Sequence, residues 1–252
     1  MSHLVNFPVL VFLVTLLILV LSVRAGERLV HTRIAVNRDS DKDDLNLVIN
    51  ASLTLLALII GFSFSMAVSR YDLRKSYEEE EANAIGTEYV RADILPSADA
   101  AKVKQMLTRY LDQRILFYTV HDPDRLNAID RETEGMQAEM WSSIQAAAAA
   151  KPTPTMALVV AGMNDVLNRQ GYTQAAWWNR IPTGAWALMV ALAICCCLLI
   201  GYGARQTGFF LFAVFPFLLA ISFFLIADID SPRRGVIRVI PHNLISLSQS
   251  LH

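Results

Sequence analysis

The chain has 252 residues, 54% hydrophobic and 18% charged, with a formal net charge of −1. Ordinary soluble domains carry about 25% charged residues. The apolar excess here is gathered in blocks, which points to membrane spans. Balanced charge excludes a whole-chain polyanion-binding surface, so no nucleic-acid partner is expected. The sequence has no Gly-rich phosphate loop and no Cys/His metal spacing, so neither a cofactor nor a metal is expected.

Leu4 to Val23 is an uncharged run of roughly 20 residues, enough to cross a bilayer core as a helix. Pro8 falls in its first turns, where proline is tolerated. The N-terminal Met1-Ser2-His3 lacks Lys and Arg, and the run is longer than a signal core, so a retained first span (about 4–23) is expected. Arg24 to Asp44 reads as a polar connection. Its acidic patch Asp39-Ser40-Asp41-Lys42-Asp43-Asp44 lacks the Gly and the bidentate Glu of a calcium loop, so a solvated loop is expected.

The second span is about 45–68. Its polar and small residues Asn50, Thr54, Gly61, Ser65 and Ser69 recur at steps that place them on one helical face. In lipid such a face either packs closely against another helix or lines a pore or cavity, and both readings stay open. Phe62 and Phe64 flank it. Without a proline the span then becomes the charged stretch SRYDLRKSYEEEEANAIGTEYVRADILP, which reads as one long helix or two nearly collinear ones.

The residues from 70 to 182 show helical spacing and no strand pattern. Four helical segments are predicted. The first continues to about Leu95. The second runs from about Ser97, read as its cap, to Val120. The third runs from Pro123 or Asp124 to Ala150, and the fourth from Pro154 to Asn179. The four consecutive charges Glu78 to Glu81 spread around the axis and are expected on a solvated surface. Trp177, Trp178 and Trp186 fit the headgroup level where the chain re-enters the membrane.

A third span (about 184–202), a tight reversal at 203–208 and a fourth span (about 209–227, kinked at Pro216) follow, then a tail from 229 to 252. Cys195, Cys196 and Cys197 are consecutive and point in different directions, so they read as packing residues. No nucleophile–base pairing is apparent among the scattered histidines, and no enzyme is expected. The fold is therefore read as all-α. Residues 1–69 hold spans one and two, 70–182 form an inserted helical soluble domain, and 183–228 hold spans three and four. Four spans put both termini and the inserted domain on one side of the membrane. Counting Lys and Arg favours the cytoplasm only slightly.

The segment IGFSFSMAVSRYDLRKSYEEEEANAIGTEYVRADILP, with IPTGAW before the third span and ADIDSPRRGVIRV after the fourth, resembles the bestrophin-like family of mainly bacterial four-span proteins. More remotely it is similar to true bestrophins, in Gly61-Phe62, in Arg70-Tyr71 to Arg74, and in Asp230-Ser231-Pro232-Arg233-Arg234-Gly235. The usual Pro-Phe-Gly is Pro-Arg-Arg-Gly here, and Tyr71 and Tyr77 stand where tryptophans are usual. The resemblance implies a homo-oligomer, pentameric in true bestrophins, in the bacterial inner membrane, with cytoplasmic termini and inserted domain. It implies conduction of chloride or other small anions. It implies a pore lined by the second span, with Phe62 and Phe64 as neck candidates and Asn50, Thr54, Gly61, Ser65 and Ser69 as polar lining. A membrane-anchored helical scaffold or sensor is the other reading.

Overall fold

The computed structural model describes residues 7–32, 39–203 and 209–251, and among these the chain is all-α. The helices are α1 (Pro8–Thr32), α2 (Asp39–Arg91), α3 (Ser97–Thr119), α4 (Pro123–Ala150), α5 (Pro154–Trp178), α6 (Thr183–Gly203), α7 (Phe209–Asp230) and α8 (His242–Leu251), with a short 3-10 helix at Ala92–Ile94. Four helices contain stretches long and apolar enough to cross a membrane: α1, the first half of α2, α6 and α7. The protein is a multi-pass membrane protein.

Local sequence explains the boundaries. Asp122 accepts the Arg125 N–H at 2.9 Å and Thr153 accepts the Met156 N–H at 3.2 Å, each followed by proline at the first helical position. Ser97, expected as a cap, is instead the first residue of α3, and Pro96 occupies the cap position without a side-chain bond. The acidic patch at 39–44 is not a loop but the start of α2. Helix α2 runs unbroken for 53 residues, about 80 Å at 1.5 Å per residue. Helix α7 passes through Pro216 and continues to Asp230. The reversal expected at 203–208 lies outside the described residues after Gly203.

The chain divides into two compact units: Met1–Arg70 with Arg180–Arg238, and Tyr71–Asn179 with Val239–His252. In the first, α1 packs on α6 and α7. The contact with α6 is close because Gly26 lies against the Leu198 carbonyl and Gly201 against the Val23 carbonyl, positions that a Cβ would fill. Phe12 meets Phe217 and Phe224 edge-on at 5.9 and 6.3 Å.

In the second unit, α3 packs on α4 and α8, and α4 on α5. The stripe Val103, Leu107, Tyr110, Leu111, Arg114 and Phe117 of α3 is buried. The part of α2 in this unit contributes a charged stripe. Arg74, Glu78, Glu81 and Glu88 follow helical spacing, and all four are buried. Arg74 donates to the Ala176 and Asn179 carbonyls at 3.2 and 3.3 Å, satisfying the C-terminal end of α5. Glu78 accepts from the Leu244 N–H at 2.9 Å and from Asn243 Nδ2 at 2.7 Å, where a carboxylate suits the N-terminus of α8. Glu81 pairs with Arg114 and accepts hydrogen bonds from the Tyr118 and Thr173 hydroxyls, both at 3.2 Å.

The solvated surface expected for Glu78–Glu81 therefore holds for only part of the run. Glu79 is exposed, and Glu80 is partly exposed and pairs with Arg169, while Glu78 and Glu81 face inward. Trp177 likewise lies in this core, edge-on to Phe117 and Tyr118 at 5.1 and 5.4 Å, rather than at headgroup level. Trp186 is buried against Phe223, and only Trp178 is exposed.

Burial works against the Arg114 charge, but the adjacent Glu81 carboxylate outweighs it and holds the guanidinium above its ordinary pKa. Burial pushes the Tyr118 phenol up, and Glu81 adds to the rise. The guanidinium and the phenol therefore both keep their protons across ordinary pH. Arg114→Met should leave Glu81 buried without its counter-charge and cost about 3–5 kcal/mol, whereas the double variant Glu81→Gln/Arg114→Met should recover most of that loss. Thermal unfolding in detergent checks this, with a clear drop in Tm expected for the single variant only.

Candidate functional site

The spanning half of α2 has two unlike faces. At 3.6 residues per turn Asn50, Thr54, Gly61 and Ser65 form a narrow stripe with Ser69 at its edge, and all five are exposed. The opposite stripe, Leu56, Ser63 and Ala67, is buried within the unit. The polar residues named from the sequence therefore do come together on one face, which the chain's own packing leaves uncovered. Thr54 turns its hydroxyl back to the Asn50 carbonyl at 2.9 Å, which satisfies its donor within the helix.

Phe62 and Phe64 lie about 200° apart around the axis and so flank the polar stripe on opposite sides. Both are exposed, by 64% and 41%. Phe64 and Gly61 border an apolar cavity of about 590 Å³, shared with Phe215, Leu219 and Ser222 of α7. Phe62 is on the other flank. Within one chain, then, the two rings do not converge. Gly61 has no heavy atom within 4 Å of where a Cβ would stand, so nothing in the chain itself requires glycine there.

The end of the fourth span forms a second polar feature. Asp230 is buried, accepts the Ile181 N–H with both oxygens at 3.2 Å, and lies 3.6 Å from Arg70. It joins the end of α7, the approach to α6 and the lower end of the α2 span. Asp228 accepts the Val236 and Ile237 N–H groups at 2.7 and 2.8 Å and folds the following loop back on the helix. Gly235 allows this return, because a Cβ there would run into the Asp228 carbonyl. Neither aspartate was singled out as a site residue from the sequence. The available signal was two acids placed at the end of an uncharged span, where only a paired or hydrogen-bonded carboxylate is tolerated.

The bestrophin-like domain model matches residues 14–244. This chain belongs to the bestrophin-like family. Crystal structures of a bacterial bestrophin homolog from Klebsiella pneumoniae share the fold. Two mutant forms match with TM-scores of 0.63 and 0.62 at 13% and 14% identity, covering 94% and 97% of this chain and 97% of each of those chains. Another crystal structure of that homolog matches with a TM-score of 0.60 at 13% identity, covering 96% of this chain and 98% of the other. No curated protein matches the chain. At such low identity the likeness is one of fold, and it spans both the bestrophin-like membrane helices and the inserted domain.

The two faces of α2 should respond differently to bulk. Ala67→Leu on the packed face is expected to lower stability by about 1–3 kcal/mol through overpacking. Ser65→Leu on the exposed stripe should change the folding of the subunit by no more than about 0.5 kcal/mol. Melting of the two variants in detergent, compared at the same protein concentration, provides the measurement.

Proposed function

We propose that this protein is an oligomeric ion channel of bestrophin type, selective for chloride or other small anions, with α2 of each subunit lining the pore. The observation that carries this reading is the polar stripe Asn50, Thr54, Gly61, Ser65, set opposite the buried stripe Leu56, Ser63, Ala67. A polar face in hydrocarbon is costly unless it meets protein or water. The chain does not cover that face itself, and one polar face cannot enclose a wide pore. A closed symmetric ring of copies would turn every such stripe to a common axis.

In that ring Phe62 and Phe64 supply an apolar constriction. It is assembled from neighbouring subunits, since the two rings of one chain point to opposite flanks. Anion selectivity then comes from hydroxyl and amide donors of the stripe at an apolar neck, without a ring of fixed acidic charge. The inserted domain and both termini are assigned to the cytoplasmic side of the bacterial inner membrane, in line with family membership and the slight Lys/Arg excess.

Two measurements test the proposal. Mass determination of the purified protein in detergent and in lipid nanodiscs should give a closed oligomer, five copies if it follows true bestrophins. A monomer in both would sink the channel reading and favour a membrane-anchored scaffold. In vesicles loaded with a chloride-sensitive dye, Phe62→Ala and Phe64→Ala should each change flux several-fold while leaving the oligomer intact. Absent flux in the wild type would again favour the scaffold.

A further inference from the structure

Glu88 differs from the other buried acids of the inserted domain. Glu78 and Glu81 have their oxygens occupied by donors, as described above. Glu88 has no exposed surface, and neither of its carboxylate oxygens has a hydrogen-bond partner among the described residues. It lies in the stretch EANAIGTEYVRADILP, part of the segment that resembles the bestrophin-like family.

Its surroundings are built for close contact. Gly162 of α5 faces it, and a Cβ at that position would collide with Glu88 Oε2 and stand 2.6 Å from Arg91 Nη1. A side chain at 162 would require the ends of Glu88 and Arg91 to move. The charged groups around it are Arg91 on its own helix and Asp165 on α5. Beside them is a polar cavity of about 290 Å³, lined by Asn83, Thr87, Arg91, Gly162 and Asp165 and edged by the Glu80–Arg169 pair. Water can fill such a cavity. Among the described residues no group of three or more acids, histidines or cysteines is placed to hold a metal ion, and two arginines line the cavity. The ligand that suits a buried carboxylate without donors is therefore a proton.

We propose that Glu88 is a proton-binding site of the inserted domain, occupied while α2 and α5 meet at Gly162, and that loss of the proton loosens this contact as the carboxylate turns to the water of the adjoining cavity. The proposal does not depend on whether the protein conducts ions. Burial raises the Glu88 pKa from its ordinary 4.5 to about 8, with Arg91 lowering it and Asp165 raising it. The sign follows from linkage. Between those two values the folded state holds a proton that the unfolded state has lost, so stability falls as pH rises through this window and levels off above it. Near neutral pH, modest alkalinisation would begin to release the α2–α5 contact.

The test uses the full-length protein in detergent micelles. Carbon NMR of wild-type protein labelled at glutamate carboxyls should show one glutamate titrating far above the rest, close to neutral or beyond, and Glu88→Gln should remove that signal. Hydrogen exchange in the segment of α5 around Gly162, corrected for the intrinsic chemical rate, should quicken about tenfold or more between about pH 6 and about pH 9 in the wild type. In Glu88→Gln it should be slow and flat over the same range. A wild type in which every glutamate titrates below about pH 6 overturns the proposal. So does a Glu88→Gln protein whose exchange keeps the wild-type pH dependence. If that variant does not fold, the wild-type titration decides alone.

Discussion

The buried ion pair between Glu81 and Arg114 is the interaction on which the inserted domain depends. Two full charges taken out of water are costly unless they are paired and hydrogen-bonded. Here α3 supplies Arg114 and the Tyr118 hydroxyl, α5 supplies Thr173, and all three converge on one carboxylate of α2. The same face of α2 places Arg74 on the last carbonyls of α5 and Glu78 on the first N–H groups of α8. Helices that share little sequence proximity are thereby fixed to one helix at defined heights. Apolar packing around Tyr110, Phe117 and Trp177 supplies the bulk of the burial. The polar stripe sets the register, because a slip of one residue would strand several charges at once.

Along its length α2 reverses the usual logic of its two environments. In the inserted domain its buried face is charged, and each charge but Glu88 meets a partner. In the spanning half its buried face is Leu56, Ser63 and Ala67, while the polar residues are left outside. A soluble helix with polar residues outside needs no explanation. For a helix in hydrocarbon the same pattern leaves amide and hydroxyl groups unsatisfied unless something beyond the chain covers them. Thr54 answers part of that cost by bonding back to the Asn50 carbonyl, but the Asn50 amide and the serines keep donors and acceptors to place. This asymmetry narrows where the partner of the stripe lies. Packing within the chain is not what it serves, and an intermolecular or water-filled setting remains.

Much of this architecture was legible in the sequence, and the failures share a cause. Periodicity and proline placement located α3, α4 and α5 to within a residue or two, because Asp122-Pro123 and Thr153-Pro154 carry their own capping chemistry. The four spans were legible from uncharged length alone. What escaped was the destination of charge. Four glutamates in a row, spread around the axis, read as a solvated surface, although i, i+3, i+4 spacing continues from Arg74 through Glu78 and Glu81 to Glu88 as one face. Trp177 was assigned to a bilayer interface by position, when its partners Phe117 and Tyr118 come from a helix some 60 residues away in sequence. The patch Asp39–Asp44 reads as a loop by composition, yet it forms the first turns of a helix. Local signals fix element type. Which face a charge takes is decided by tertiary partners that sequence spacing does not name.

The loop after the fourth span is shaped by its own acid and glycine. Its backbone depends on two features: a carboxylate at Asp228 that receives the Val236 and Ile237 N–H groups, and the absence of a side chain at Gly235 where the chain passes the Asp228 carbonyl. Both are present here. Two arginines, Arg233 and Arg234, stand between Pro232 and the glycine. Arg234 lies with its guanidinium 4.3 Å from the centre of the Phe7 ring, in a cation–π contact. The acid and the glycine shape the turn, and Arg234, next to the glycine, takes an aromatic partner. In this chain that choice ties the turn to the approach of the first span, within the same unit that Asp230, Arg70 and Ile181 hold together from the other side.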